Sequence, residues 1–411
     1  MYNRNILIKL NKLLEYFPAA VVLGVRQAGK SHLVKTIRPD WEYFDLERPA
    51  HRDLILSDPE LFFRNHPRKV ILDEVQLFPE ILATLRGVID EARGERDRFL
   101  LTGSSSPELV RHASESLAGR IGIVELSPLK MNEIYGTPLP RFYRLFDSPL
   151  DATSCDYLRS LAPERSYKEI TNTWLSGGYP EPRSHGDSSF MSAWFENYIR
   201  TFVERDLKRL YSRIDSDTYR TFLGVLKDFH GQTINMADIA RSLGVREPAV
   251  RGYLEIAHHS FLWRMLQSFE RSQLRSVTKH PRGFYRDSGI YHYLLGVNSL
   301  TALEQSRFRG ASFEAFVIEE LLRGLQCTEV GEVQAQFFRT RSGSEVDLVL
   351  DGKFGTLPIE IKCSSNTTVK DVPGLVDFVK REQCPFGIVI NLSESVEQIS
   401  ERVFVVPAGT L

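Results

Sequence analysis

The sequence predicts an α/β protein: a parallel sheet carrying a phosphate-binding loop, a helical lid, a helix-turn-helix with a strand pair, and a second α/β domain at the C-terminal end. Three observations predict it. The first third alternates short β-rich runs with helical segments, the pattern of a parallel sheet covered by helices. A G-x-x-x-x-G-K-[ST] octamer follows the first apolar strand and opens a helix. The last hundred or so residues return to alternating strands after a helix that begins at Gly310.

The 411 residues, at about 150 per domain, give roughly two to three domains. Breaks at Pro128, Gly136 and Pro138–Pro140 place the first boundary near Gly136. The expected division is 1–136 for the loop-bearing sheet, 137–215 for the helical lid, 216–300 for the helix-turn-helix and 308–411 for the last domain. Expected strands in the first domain are Ala19–Leu23, Trp41–Leu46, Lys69–Leu72, Phe99–Thr102 and Ile121–Leu126.

With 42% hydrophobic and 26% charged residues, the composition excludes a disordered tail, a collagen-like repeat and a small disulfide scaffold. Fifty-two basic against 53 acidic side chains leave a net charge of −1. No global basic field advertises nucleic acid, so any such surface must be local. Cys155, Cys327, Cys363 and Cys384 lie far apart without a CxxC, which reads as reduced thiols rather than disulfides or a zinc site. The apolar run Ala19–Leu23 is far short of the ~20 residues a spanning helix needs. At the N-terminus Ile6, Leu10, Leu13 and Phe17 share a helical face, with Lys9, Lys12 and Glu15 between them. That is a surface helix leading into a domain, not a signal peptide, and the expected location is the cytoplasm.

Gly24, Val25, Arg26, Gln27, Ala28, Gly29, Lys30, Ser31 and the following His32 form the phosphate loop and its exit into a helix. The glycines let backbone N–H groups curl around the β-phosphate, and the helix N-terminus adds its positive dipole end. Lys30 is expected to reach the β/γ oxygens of ATP, and the Ser31 hydroxyl to ligate Mg²⁺. Val70–Glu74 (VILDE) is a buried strand ending in two carboxylates. Asp73 is expected to hold the Mg²⁺ through water, and Glu74 to orient and deprotonate the attacking water.

Two features suggest how hydrolysis is controlled. Phe99–Ser104 ends a strand in Thr102 and Ser104, placed to hydrogen-bond the γ-phosphate or the water; an ordinary strand-to-loop turn is the alternative. Arg120 follows Ser116-Leu-Ala-Gly119 before the last strand. In a ring it would act in trans on a neighbour's γ-phosphate, worth roughly 10³–10⁵ in rate in other NTPases. A salt-bridged surface arginine is the alternative.

The segments Gly24–Ser31, Leu72–Gln76 (LDEVQ), Leu101–Ser106 (LTGSSS), Ser116–Arg120 and Ser127-Pro128-Leu129 resemble the bacterial and archaeal AAA-type (AAA+) ATPases that carry a C-terminal domain of unknown function. The resemblance continues through Gly177–Glu181 (GGYPE), Tyr198–Asp206 (YIRTFVERD), Phe284–Gly289 (FYRDSG) and Glu345–Lys362, nearly the whole chain. It implies a loop strand and a carboxylate strand separated by one other strand, and it favours homo-oligomers, a ring such as a hexamer. A second sensor arginine in the lid is not identified; Arg183 is the nearest candidate.

Ile234–Val245 reads as a short helix ending in a glycine turn at Gly244, and Pro248–His258 as a second helix with Val250, Tyr253 and Leu254 facing inward. Phe261–Trp263 and Phe284-Tyr285 would make the wing, giving a winged helix-turn-helix. Arg246 and Arg251 sit on the expected exposed face of the second helix. Arg264, Arg271, Arg275, Lys279, Arg282 and Arg286 oppose only Glu270 over the following stretch. A second basic run contains Arg200, Arg205, Lys208, Arg209 and Arg213 against Glu204 and Asp206. Together they read as a footprint for the DNA backbone, with Arg246, Arg251, Arg271, Arg275, Lys279 and Arg282 as contacts. The alternative is a helical packing module with solvated arginines.

Finally, Glu345–Leu350, a turn at Asp351-Gly352, and Pro358–Lys362 make a hairpin in which Asp347, Glu360 and Lys362 form D-x₁₂-E-x-K. Two carboxylates from adjacent strands can share a divalent metal, and Lys362 lies on the same face as Glu360 because strands alternate. Val346, Leu348, Ile359 and Ile361 are expected to point the other way. Glu314 or Glu319 on the preceding helix would supply a further ligand. The pattern resembles the PD-(D/E)XK restriction-endonuclease-like superfamily over roughly the last hundred residues, whose folds cut DNA or merely grip it. The functional expectation is an ATP-hydrolysing motor acting on DNA, forked or branched DNA included, with ATP and Mg²⁺ as cofactors. The rivals are a nucleotide-gated switch or scaffold for protein partners, and an ATP-dependent nuclease in defence or repair.

Overall fold

The computed structural model describes residues 2–104, 117–207, 211, 214–270, 280–340 and 343–411. The chain forms two compact units, Arg4–Pro128 with His259–Phe261, and Leu129–His258 with Leu262–Leu411. Several expectations fall outside the described residues: Ser105, Ser106 and Ser116 of the loop motifs, Lys208, Arg209 and Arg213, and the DNA contacts Arg271, Arg275 and Lys279.

The first unit is a five-stranded sheet of β1 (Ala19–Gly24), β2 (Glu42–Asp45), β3 (Val70–Asp73), β4 (Phe99–Ser104) and β5 (Ile121–Glu125). Its order is β2-β3-β4-β1-β5, and every pairing is parallel. The strands arise where they were expected because continuous apolar runs suit a sheet buried on both faces. β1 is buried along its whole length and β3 likewise. Val21, Leu23, Leu72 and Leu101 share one core with Leu82, Leu85 and Ile89 of the helix Ile81–Glu91. β4 lies between β1 and β3, so loop and carboxylates occupy the carboxyl ends of parallel strands one strand apart, where ligands bind in open α/β sheets.

The second unit spans the segments expected at 137–215, 216–300 and 308–411. One nine-stranded sheet runs through it, in the order β13-β14-β12-β11-β10-β9-β7-β8-β6. It comprises β6 (Gln232–Thr233), β7 (Trp263–Ser268), β8 (Arg282–Tyr285), β9 (Gln334–Arg339), β10 (Glu345–Gly352), β11 (Gly355–Ile361), β12 (Gly387–Asn391), β13 (Glu397–Ser400) and β14 (Val403–Pro407). The joint is the parallel pairing of β7 with β9 at Gln267↔Gln336 and Ser268↔Phe337. The helix Arg309–Gln326, buried from Ser312 to Leu325, completes the fusion. Its Phe313, Val317 and Leu321 share one apolar core with Phe142 and Trp174 from the lid segment and with Leu348, Ile359 and Ile388 from the sheet. Burying one continuous apolar surface favours a single unit.

The GGYPE and FYRDSG motifs meet inside this unit. Asp287 accepts from the backbone N–H groups of Gly178 at 2.8 Å and Gly289 at 3.0 Å, capping the helix Ser288–Leu295. Gly177 has φ +71°, and a Cβ there would lie 2.2 Å from the Asp287 carboxylate. These glycines are there for close approach, a structural role.

Two local corrections concern the C-terminal hairpin. Its turn lies at Lys353-Phe354, because β10 extends through Gly352 and β11 starts at Gly355, with φ +105°. A bulge between Val346 and Val349 puts Val346 with Val349 in one core and Leu348 with Leu350 in the other. Strict alternation places Val346 beside Leu348; one extra residue in the strand reverses that.

Candidate functional site: a nucleotide loop and a carboxylate cluster

In the first unit the loop leaves β1 at Gly24, where a Cβ would lie 2.2 Å from the Leu126 carbonyl oxygen. Glycine is required there by the approach of the chain leaving β5, seen also in the Leu126 N–H bond to Leu23 O at 2.7 Å. The loop turns through positive φ at Gln27 (61°) and Gly29 (95°), which aims successive N–H groups inward as anion-binding nests do. Val25 and Ala28 are buried, so their backbones are what a phosphate would meet. The Lys30 ammonium, 4% exposed, is folded back to donate to Gly24 O at 3.0 Å and Val25 O at 3.1 Å. His32 lies one residue past Ser31 in the first turn of the helix Lys30–Ile37.

Across the sheet, Asp73 is buried and accepts from the hydroxyls of Thr102 and Tyr43. The Thr102 oxygen in turn accepts from the Glu74 N–H at 3.3 Å. Glu74 has left-handed backbone angles, φ 62° and ψ 43°, a conformation that is costly for a non-glycine residue and characteristic of functional sites. Its carboxylate accepts from the Gln76 amide, whose oxygen receives the Ser104 N–H at 3.1 Å. Burial raises the Glu74 pKa, against the pull of Lys30. Thr102 and Ser104 thus tie the β4 end to both carboxylates, in addition to any contact with nucleotide.

Tyr43 is a site residue that motif reading missed. Its phenol bridges Asp73 and Ser31, the pair expected to hold Mg²⁺, and the Lys35 ammonium lies 3.8 Å over its ring. Burial and the Asp73 carboxylate push its pKa upward. The available signal was a polar-tipped aromatic on the strand paired with β3, in register with Ile71. Ser31, Asp73 and the flanking hydroxyls form a hard oxygen donor set that fits Mg²⁺.

Arg120 does not stand free. Its fork grips Asp90 at 2.7 and 2.9 Å, and a third nitrogen donates to Ala118 O. Arg183 donates to Asn172 O at 3.2 Å.

In the second unit, the helix Met236–Leu243 ends at Gly244 in the left-handed conformation and the helix Glu247–His259 follows. Asn235 caps the first through the N–H groups of Ala237 and Asp238. Val250, Tyr253 and Leu254 face inward, with the Tyr253 ring 5.5 Å from Tyr219 and 5.4 Å from Phe222. Arg246 and Arg251 are exposed.

The described arginines of the basic run after this helix do not form a surface. Arg264 and Arg286 both bond Glu319, which is 2% exposed. Against the cost of burial, those arginines pull the Glu319 pKa down to about 2. Glu319 is therefore an internal ion-pair partner and not the expected further ligand. Arg282, expected to contact DNA, is 8% exposed and points inward. It donates to Glu314 at 2.9 Å, Glu345 at 3.2 Å and Asp347 at 3.3 Å. The reason is electrostatic: carboxylates buried on an apolar helix and sheet need cationic partners.

The expected nuclease residues do assemble. Asp347 accepts from the Ile361 N–H at 2.9 Å, Lys362 donates to Glu360 at 2.6 Å, and Glu314 reaches the cluster from its helix. Burial, with Asp347 beside it, raises the Glu360 pKa to about 7, and the same causes push Glu314 well up. Among the described residues, however, no three His, Cys, Asp or Glu side chains stand as a metal-holding group. The residues as placed do not fit a resident metal, since a guanidinium sits among them. All four cysteines are free thiols. Among the described residues no helix is long and apolar enough to cross a membrane.

Residues 16–135 match the AAA domain family, 167–301 a domain of unknown function (DUF8612) and 309–411 another (DUF4143). Two relatives, the uncharacterized protein Rv2008c of Mycobacterium tuberculosis and the uncharacterized protein Mb2031c of Mycobacterium bovis, are each 31% identical over 413 residues, covering 99% of this chain and 84% of theirs. Among solved structures, the Walker-type ATPase PABY2304 of Pyrococcus abyssi is 16% identical with a TM-score of 0.43, over 70% of this chain and 94% of that one. The Orc1 protein of Aeropyrum pernix in complex with DNA is 12% identical with a TM-score of 0.32, over 72% and 93%. Likenesses this distant carry no argument about activity.

Proposed function

The chain belongs to the family of the mycobacterial proteins Rv2008c and Mb2031c, with an AAA-type domain at residues 16–135, and from that premise we propose that it is an ATP-hydrolysing motor acting on DNA. The observation that carries the hydrolytic part is the convergence of Lys30, Asp73, Glu74 and Thr102 at the carboxyl ends of β1, β3 and β4. ATP enters over the loop; backbone N–H groups receive the β-phosphate, and Lys30 leaves its loop carbonyls for the β/γ oxygens. Ser31 and Asp73 would hold Mg²⁺, which supplies charge neutralisation at those oxygens when bound. Glu74, held by Gln76, takes a proton from the attacking water, and burial makes it a stronger base than an exposed glutamate. Arg120 exchanges Asp90 for a neighbouring subunit's γ-phosphate in a homo-oligomeric ring.

The DNA part rests on the exposed Arg246 and Arg251, on a helix-turn-helix followed by short strands that reads as a winged helix. The C-terminal domain serves as a restriction-endonuclease-like grip rather than as scissors; the guanidinium among its carboxylates supports that choice. One observation favours a second reading, a nucleotide-gated scaffold for protein partners: Arg264, Arg282 and Arg286 are spent on internal pairs.

The deciding experiment is ATP turnover with no DNA, single strands, duplex and forked DNA, with nicking followed in Mg²⁺ and Mn²⁺. Stimulation by DNA without nicking is the expected result. Turnover indifferent to every DNA would sink the motor and leave the scaffold.

A further inference from the structure

Arg282 is a basic residue placed where the nuclease resemblance calls for a metal ion. It comes from β8, 32 residues before Glu314, 63 before Glu345 and 65 before Asp347. Each of its guanidinium nitrogens is engaged: Nε donates to Gly231 O at 2.6 Å, Nη1 to Glu345 and Asp347, and Nη2 to Glu314. An arginine keeps its charge at every accessible pH, so the compensation is permanent. The neighbouring Glu360 is served on one oxygen by Lys362. What remains is telling: Glu314 Oε1 and Glu360 Oε2 are buried with no hydrogen-bond partner among the described residues, on side chains 9% and 7% exposed. Unpartnered buried carboxylate oxygens beside Asp347 are hard ligands of the kind Mg²⁺ and Mn²⁺ take.

We propose that Arg282 is an internal cation standing in for a divalent metal among Glu314, Asp347 and Glu360, and that removing its charge converts this cluster into a divalent-cation site. The native cluster then binds no metal. It acts as a charge-compensated anchor fastening the β7–β8 strand pair to β10 and to the helix Arg309–Gln326. The inference rests on the geometry of this cluster and not on the DNA reading, so a protein indifferent to DNA would leave it intact.

The test uses the full-length, nucleotide-free protein, with Mn²⁺ followed by electron paramagnetic resonance and thermal unfolding with and without Mn²⁺. Wild type should show no Mn²⁺ binding that depends on Asp347, and a melting temperature indifferent to the ion. Arg282→Gln should melt lower without metal, regain stability with it, and bind Mn²⁺ at least about tenfold more tightly than wild type, since a repelling charge is gone. The gain should vanish when Asp347→Asn is added. Arg282→Lys keeps a cation in place and should ignore Mn²⁺ as wild type does. Mn²⁺ binding by wild type that Asp347→Asn abolishes would overturn the proposal. So would Arg282→Gln that gains no affinity, or that stays unfolded in Mn²⁺, because the metal should replace the missing cation.

Discussion

Replacing Glu74 by glutamine removes one charge and almost nothing else. The new amide oxygen still accepts from Gln76, which now donates to Glu74. The backbone at φ 62° is no more costly for glutamine than for glutamate, so stability should stay within about 0.5 kcal/mol of wild type. What disappears is the group that takes the proton from water. General-base catalysis is typically worth about 10²–10⁴ in rate, or ~3–5 kcal/mol of barrier at 1.36 kcal/mol per decade. ATP affinity should hold or improve, since a carboxylate no longer faces the γ-phosphate. The assay is phosphate release at saturating Mg-ATP, beside a nucleotide-binding titration, across pH. Only the ionised Glu74 can accept a proton, and burial has raised its pKa. Wild-type turnover should therefore fall on acidification at a higher pH than an ordinary glutamate dictates, while Glu74→Gln shows a flat residual rate. Turnover of Glu74→Gln within about threefold of wild type, or an acid limb that survives the substitution, would remove Glu74 from its role.

Arg120→Ala should lose turnover and keep ATP affinity, mixing it with Lys30→Ala protein should restore part of the activity, and Asp90→Asn should leave turnover at least at wild type. If Asp90→Asn is as inactive as Arg120→Ala, the pair with Asp90 is structural and the finger is lost as an idea. Arg246→Ala and Arg251→Ala should each weaken DNA binding uniformly across sequences and reduce the salt slope by about one; unchanged slopes would clear both residues of phosphate contact. Acid should unfold the second unit early. His292, 1% exposed, is held neutral by burial, its pKa lowered from 6.5 to about 4, and His230 is lowered as well. The unfolded chain takes up those protons below its own pKa and the native chain does not, so stability present above 6.5 is lost as pH falls toward 4. For His292 alone that is about 3 kcal/mol. Denaturant midpoints that do not drop over this range, or a drop that His292→Gln fails to lessen, would contradict it.

What the sequence determined by itself is the part written over short stretches of chain. The loop Gly24–Ser31, the carboxylates Asp73 and Glu74 after an apolar strand, Gly244 between two helices and the Glu360-x-Lys362 pair are all set by neighbours within a few residues. Local sterics and the two- and 3.6-residue periods suffice to read them. Tertiary structure alone decided which partners those residues meet. Tyr43 bridges Asp73 and Ser31, the pair proposed to hold Mg²⁺, only because β2 docks in register beside β3. A bulge between Val346 and Val349 reassigned two apolar side chains to opposite cores. Three arginines that read as a basic edge turned inward because a mostly apolar helix buries Glu314 and Glu319. Charge composition counts arginines but does not say where they point. A buried carboxylate draws its counter-charge from wherever the fold brings one near, here from a strand 32 residues earlier in the chain, and that destination exists only once the sheet has closed around it.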